Sequence, residues 1–202
     1  MRNKPRTPDL ALQELLDGNA RFVERRPQNR DHLADVNETA GGQKPFAAIL
    51  SCIDSRIPAE LVFDQGVGDV FSARVAGNVV NGDVLGSLEF ATQVAGSCLV
   101  LVLGHTRCGA VGGACKGVQL GNLTGLLDRI QPAVAKAGGV ADPEAVDPVF
   151  ADKVSELNVA VSMDELRSKS EVLAKLEREG TIKIVGAMYD VSDGRVRVID
   201  AA

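Results

Sequence analysis

Aromatic side chains are almost missing from this chain. Of its 202 residues six are Phe, one is Tyr and none is Trp, 3% in all. Hydrophobic residues nevertheless make up 45%, so the chain is not disordered, and its core has to be aliphatic, built from Val, Ile, Leu and Ala. An excess of positive charge is lacking too. The formal net charge is −5 and the isoelectric point about 5.1, which argues against nucleic acid or an anionic membrane surface as partner. The longest apolar stretches, such as "CLVLVLG", are too short to span a bilayer. The first residues, "MRNKPRTPDLALQELLDGNARF", are charged and amphipathic, without the apolar centre of a secretion signal. The expected location is therefore cytoplasmic. In that setting four cysteines point to metal binding or catalysis rather than to disulfides.

The length suits one domain, 1–202, with residues 1–44 forming an N-terminal helix and arm. Residues 8–25 read as a helix with Leu10, Leu12, Leu15, Leu16 and Phe22 as its apolar stripe and Asp9 near its start. Residues 26–44 are polar and read as a loop arm. Four short apolar runs, 46–51, 69–75, 98–103 and 181–188, have the character of buried strands. Helical patterns lie between them at 57–64, 83–95, 107–117, 122–136 and 150–178. This alternation predicts an α/β fold, a central mostly parallel sheet flanked by helices. The piece "RVRVID" alternates after the turn "SDG" and predicts an antiparallel edge strand. The segment "KAGGVADPEAVDP", 136–148, reads as a surface loop.

Two strand ends carry chemistry. The first strand runs into "SCIDSR" and the third into "GHTRCGA". Ligands of open parallel sheets bind at the carboxyl ends of strands, so Cys52, His105 and Cys108 could converge if those strands are neighbours. Two thiolates and an imidazole suit Zn²⁺, and three protein donors leave its fourth position open, as in catalytic rather than structural sites. Either motif alone also fits buried core thiols; the coincidence of both at strand ends favours a metal. Zn²⁺ with two thiolates and a neutral His has no net charge and lowers the pKa of water less than a three-histidine site would. A carboxylate that orients the hydroxide then becomes useful. Asp54 is placed for that role, and Arg56, by pairing with it bidentately, can hold it off the metal.

The pattern C-x-D-x-R followed by H-x-x-C closely resembles that of the β-class carbonic anhydrases. "GNARFV", "FDQGVGDVFSARVAGN", "GSLEFA" and "YDVSDG" extend the resemblance over most of the chain. It implies Cys52, His105 and Cys108 as zinc ligands, Asp54 and Arg56 as the catalytic dyad, and CO₂ and bicarbonate as substrate and product. It further implies a substrate pocket containing Gln43, Phe71 and Phe90, partly supplied across the interface of a homodimer or an assembly of dimers. Phe90 stands where the family usually has Tyr, and Val75 where it often has Asn. A subgroup with an inhibitory bicarbonate site has Trp at the position of Ile49. Arg74 and Tyr189 match the rest of that site, so such a switch is expected to be absent or weakened. Relatives with the same metal set hydrolyse carbonyl sulfide or carbon disulfide, which is the alternative enzyme reading. A structural zinc or redox-thiol module would need a fourth protein ligand or a C-x-x-C pair, and the sequence has neither. Cys98 and Cys115 read as core thiols and His32 as a solvated residue of the arm.

Overall fold

The computed structural model describes residues 7–199. Five strands, β1 (Ala47–Ser51), β2 (Val70–Arg74), β3 (Leu99–His105), β4 (Lys183–Tyr189) and β5 (Val196–Ile199), form one sheet in the order β2-β1-β3-β4-β5. β1 pairs in parallel with both β2 and β3, β3 pairs in parallel with β4, and only β5 runs antiparallel. The mostly parallel sheet and its antiparallel edge are those expected from the sequence. All residues of β1 and β3 are buried, because helices cover both faces. Ala47, Ile49, Leu99, Leu101 and Leu103 pack on one side, and Ala48, Leu50, Val100 and Val102 on the other. Each such Leu or Val contributes about 1.5–3 kcal/mol by burial.

The helices are α1 (Pro8–Val23), α2 (His32–Thr39), α3 (Ala59–Val62), α4 (Gly82–Glu89), α5 (Gly109–Cys115), α6 (Gly121–Leu127), α7 (Gln131–Lys136), α8 (Pro148–Lys169) and α9 (Glu171–Arg178). α1 starts at Thr7, whose hydroxyl accepts from the Leu10 amide, with Pro8 in the first turn. Its buried face is Ala11, Leu15, Gly18 and Asn19, while Leu10 and Phe22 of the expected stripe face outward. Gly18 is there because a Cβ would lie 1.8 Å from the Phe63 carbonyl oxygen. Asn19 then stitches α1 to the sheet. Its amide nitrogen donates to the carbonyls of Val62 and Gly194, and its oxygen accepts from the Val196 amide.

One expectation is corrected, the loop reading of 26–44, and the helical spans 83–95 and 150–178 hold with finer detail. The arm 26–44 contains α2, whose N-cap Asp31 accepts from the Leu33 and Ala34 amides. Leu33 and Val36 are exposed on it, so no apolar stripe betrays it. What anchors this region is charge: Arg30 is buried against Asp64 and Asp69. The span 83–95 is α4 followed by a π-helical turn, Phe90–Val94. The span 150–178 breaks at Ser170, whose hydroxyl accepts from the Leu173 amide and caps α9. Among the described residues no helix is long and apolar enough to cross a membrane.

Candidate metal centre

Cys52 is the residue after β1, His105 the last residue of β3, and Cys108 the N-cap of α5. Because β1 and β3 are neighbours, these three side chains meet: their ligand atoms all lie within 4.8 Å of one another. All three are buried, His105 to 1% exposure. The His105 ring is fixed by Nδ1, which donates to the Thr106 carbonyl 2.9 Å away and so leaves the Nε2 lone pair facing the two sulfurs. Nε2 is buried without a hydrogen-bond partner. An orphaned imidazole nitrogen beside two thiols is what a tetrahedral soft metal would complete.

The sulfurs are prepared for a cation. A hydrogen bond from Cys108 outweighs burial and draws the Cys52 thiol down to about 4, with smaller help from the amides of Gly77 and Asp54. The same pairing, with burial, pushes the Cys108 thiol far up. A bound cation would favour the thiolate form of both sulfurs. Gly77 donates its N–H to Cys52 Sγ at 3.2 Å. It sits at φ +67°, where a Cβ would meet Ile130 Cδ1 at 2.7 Å, so this approach requires glycine. From α8, Asn158 Nδ2 donates to the Gly77 carbonyl and Ser162 Oγ to that of Asn78, fixing the turn.

Asp54 rests on Arg56. Its Oδ1 accepts from the Arg56 amide and Nε, both at 2.9 Å, and its Oδ2 from Nη2 at 2.7 Å. These bonds to the guanidinium hold the carboxyl well below the usual carboxylate range. Oδ2 is 4.0 Å from His105 Nε2, at the mouth of the cluster. Two contacts were invisible in the sequence. Arg56 Nη2 also donates to the Arg107 carbonyl at 3.2 Å. Arg74 donates to the carbonyls of Cys52 and Asp54 at 2.9 and 2.6 Å. Arg74 is thus engaged in holding the "CID" turn, and Ile49 is fully buried in the core.

The family model for carbonic anhydrase matches residues 47–196. The chain belongs to the β-class carbonic anhydrase family. Carbonic anhydrase 2 of Mycobacterium tuberculosis is 37% identical over 202 residues, covering 96% of this chain and 93% of its own. A β-carbonic anhydrase of Aspergillus fumigatus has the same fold with a TM-score of 0.75 at 27% identity, covering 96% of this chain and 91% of its own. Tetrameric β-carbonic anhydrases of Sordaria macrospora share the fold at a TM-score of 0.73 and 20% identity, over 93% of this chain and 96% of theirs. Zinc is the metal of the family, and the Cys52, His105 and Cys108 donors suit it.

The other expected residues lie elsewhere in the single chain. Phe71 and Phe90 meet edge to face, with ring centroids 6.1 Å apart. They line a groove of about 590 Å³ along β2, together with Ala48, Leu88 and Ala91. None of Cys52, Asp54, Arg56, His105 or Cys108 lines it. Phe71 is level with Ala48 near the start of β1, and Gln43 precedes that strand, whereas Cys52 follows its end. Cys98 and Cys115 are buried core thiols whose pKa burial raises, and His32 is exposed on α2 near Asp35.

Proposed function

We propose that the protein catalyses the reversible hydration of CO₂ to bicarbonate and a proton, as a carbonate dehydratase. The observation that carries this reading is the buried Cys52, His105 and Cys108 triangle with its orphaned Nε2, and a carboxylate poised at its mouth. Cys52, Cys108 and His105 would bind the metal, the thiols as thiolates and the imidazole through Nε2. When bound, zinc supplies a Lewis acid that lowers the pKa of a coordinated water toward neutrality. Asp54 accepts a hydrogen bond from the attacking oxygen at Oδ2 and turns its lone pair to the substrate. Arg56 holds that carboxylate ionised and away from the metal position. Hydroxide supplied in this way would add to the carbon of CO₂ to give bicarbonate, and the proton lost from the water would pass to buffer.

The substrate wall is assigned to Gln43, Phe71 and Phe90 of a second copy of the chain, because within one copy they lie apart from the triangle. Phe90, Val94 and Leu61 are exposed, as are Leu33 and Val36 of α2, which supports a homodimer or an assembly of dimers. A single domain in the cytoplasm is the matching setting; the four buried cysteines, all free, support it. The test is stopped-flow CO₂ hydration by the zinc-loaded protein, with carbonyl sulfide offered in parallel. Acceleration of CO₂ hydration over buffer is expected; hydrolysis of carbonyl sulfide alone would replace this reading by the sulfur one.

A further inference from the structure

Arg107, between His105 and Cys108, is a non-glycine residue at φ +55°. A side chain in this left-handed region is disfavoured and persists only where the surroundings over-determine it. Two bonds do so here. The Arg107 amide donates to Asp152 Oδ1 at 2.6 Å, a charge-assisted hydrogen bond. The Arg107 carbonyl accepts from Arg56 Nη2 at 3.2 Å. One peptide unit on from Arg107 is Cys108, whose sulfur belongs to the triangle. Asp152 lies on α8, the same helix that holds the Gly77 turn through Asn158 and Ser162.

We infer that Asp152 is a positioning residue for the metal centre, clamping Arg107 in its left-handed conformation so that Cys108 reaches the metal and Arg56 keeps its anchor. This rests on the proposed reading of the triangle as a metal site. Loss of the carboxylate lets Arg107 relax to negative φ, which swings Cys108 outward and withdraws the carbonyl from Arg56. The clamp acts before any substrate is present, so metal retention reports it.

The experiment uses the full-length protein loaded with zinc, or with Co²⁺ for its d–d absorption. Variants are Asp152→Ala, Asp152→Asn and the double variant Arg107→Gly/Asp152→Ala. Asp152→Ala is expected to lose zinc to a chelator about tenfold more readily, the usual size of an outer-sphere effect, and to alter the Co²⁺ spectrum. Asp152→Asn keeps an oxygen acceptor without the charge and should show a smaller loss in the same direction. Glycine adopts φ +55° without strain, so the double variant should regain wild-type retention. A helix anchor unrelated to Arg107 would not be rescued in this way. Unchanged zinc retention and spectrum in Asp152→Ala, or a defect that Arg107→Gly leaves untouched, overturns the inference. If the alanine variant does not fold, wild-type retention in Asp152→Asn overturns it. A wild type that binds zinc but does not hydrate CO₂ would instead refute the proposed activity and leave this inference standing.

Discussion

Arg56 joins the two strand-end loops of the site: one of its nitrogens donates at once to Asp54 Oδ2, at 2.7 Å, and to the Arg107 carbonyl, at 3.2 Å. The guanidinium therefore fixes Asp54 relative to the loop that carries His105 and Cys108, and not merely as a local ion pair.

Removing either member of that pair should fail in its own way. Arg56→Ala takes away the hydrogen bonds that depress the Asp54 pKa, so the carboxylate moves back toward its usual range and is free to compete for the metal. The CO₂ hydration profile should shift to higher pH. Asp54→Asn removes the charged acceptor but also the competitor. Zinc should stay bound and the rate should fall at every pH, by 10²-fold or more, in the range of a lost acid–base group. Stopped-flow pH profiles with zinc content measured on each sample decide this. An Asp54→Asn enzyme with undiminished rate would reduce the pair to a structural one.

The proposed sharing of the substrate wall predicts assembly, because Phe71 and Phe90 do not line the triangle within one copy. Sedimentation at micromolar concentration should give a dimer or a multiple of dimers. A fully active species of 21.2 kDa would contradict a shared substrate wall. Phe71→Ala should lower activity without loss of zinc, since Phe71 is level with Ala48, well before Cys52 at the other end of β1.

How much of this was legible in sequence divides by distance along the chain. "CIDSR" and "HTRC" are short motifs at strand ends, and the aliphatic runs that place those ends side by side are equally plain. Hence the sheet, its antiparallel edge and the meeting of Cys52, His105 and Cys108 could all be read. Arg107 to Arg56, Asp152 to Arg107 and Gly77 to Cys52 span 51, 45 and 25 residues, and involve backbone groups that every residue possesses. No residue type announces them. α2 escaped for another reason: periodicity detects a buried stripe, and α2 buries only Asp35. The stripe of α1 was misjudged at Leu10 and Phe22, because Gly18 and Asn19 make the close approach instead, against the Phe63 and Val62 carbonyls.

Asn19 gives a prediction about stability alone. Asn19→Ala leaves the Val62 and Gly194 carbonyls and the Val196 amide without their partner in a buried place. With about 1–3 kcal/mol for each orphaned group and partial relief by water, the expected loss is about 2–4 kcal/mol. For a chain of this size that corresponds to roughly 5–15 °C in thermal midpoint. Calorimetry on the zinc-loaded protein checks it, and an unchanged midpoint would show that α1 is not locked through this side chain.

Acid sensitivity should come in part from Glu177. Burial raises its pKa, but the Arg167 guanidinium, at 2.8 and 2.9 Å, outweighs this and leaves the folded value lowered. A lowered folded pKa means that the pair's stabilisation is fully present above the unfolded value of about 4.3 and is lost as pH falls through the folded one. Urea midpoints from pH 7 to 3 should therefore decline less steeply in Glu177→Gln than in wild type, from a lower starting point. Parallel curves would exclude the pair as a contributor.

The central claim is that Cys52, His105 and Cys108 hold a zinc ion that makes this chain a carbonic anhydrase. Zinc content and CO₂ hydration rate, measured on one sample before chelation, after it and after zinc is restored, test it most directly. The expected result is about one zinc per chain, a hydration rate that disappears with the metal and returns with it, and loss of both in Cys108→Ser. Full zinc occupancy with no hydration above buffer, or hydration that survives removal of the metal, would contradict it.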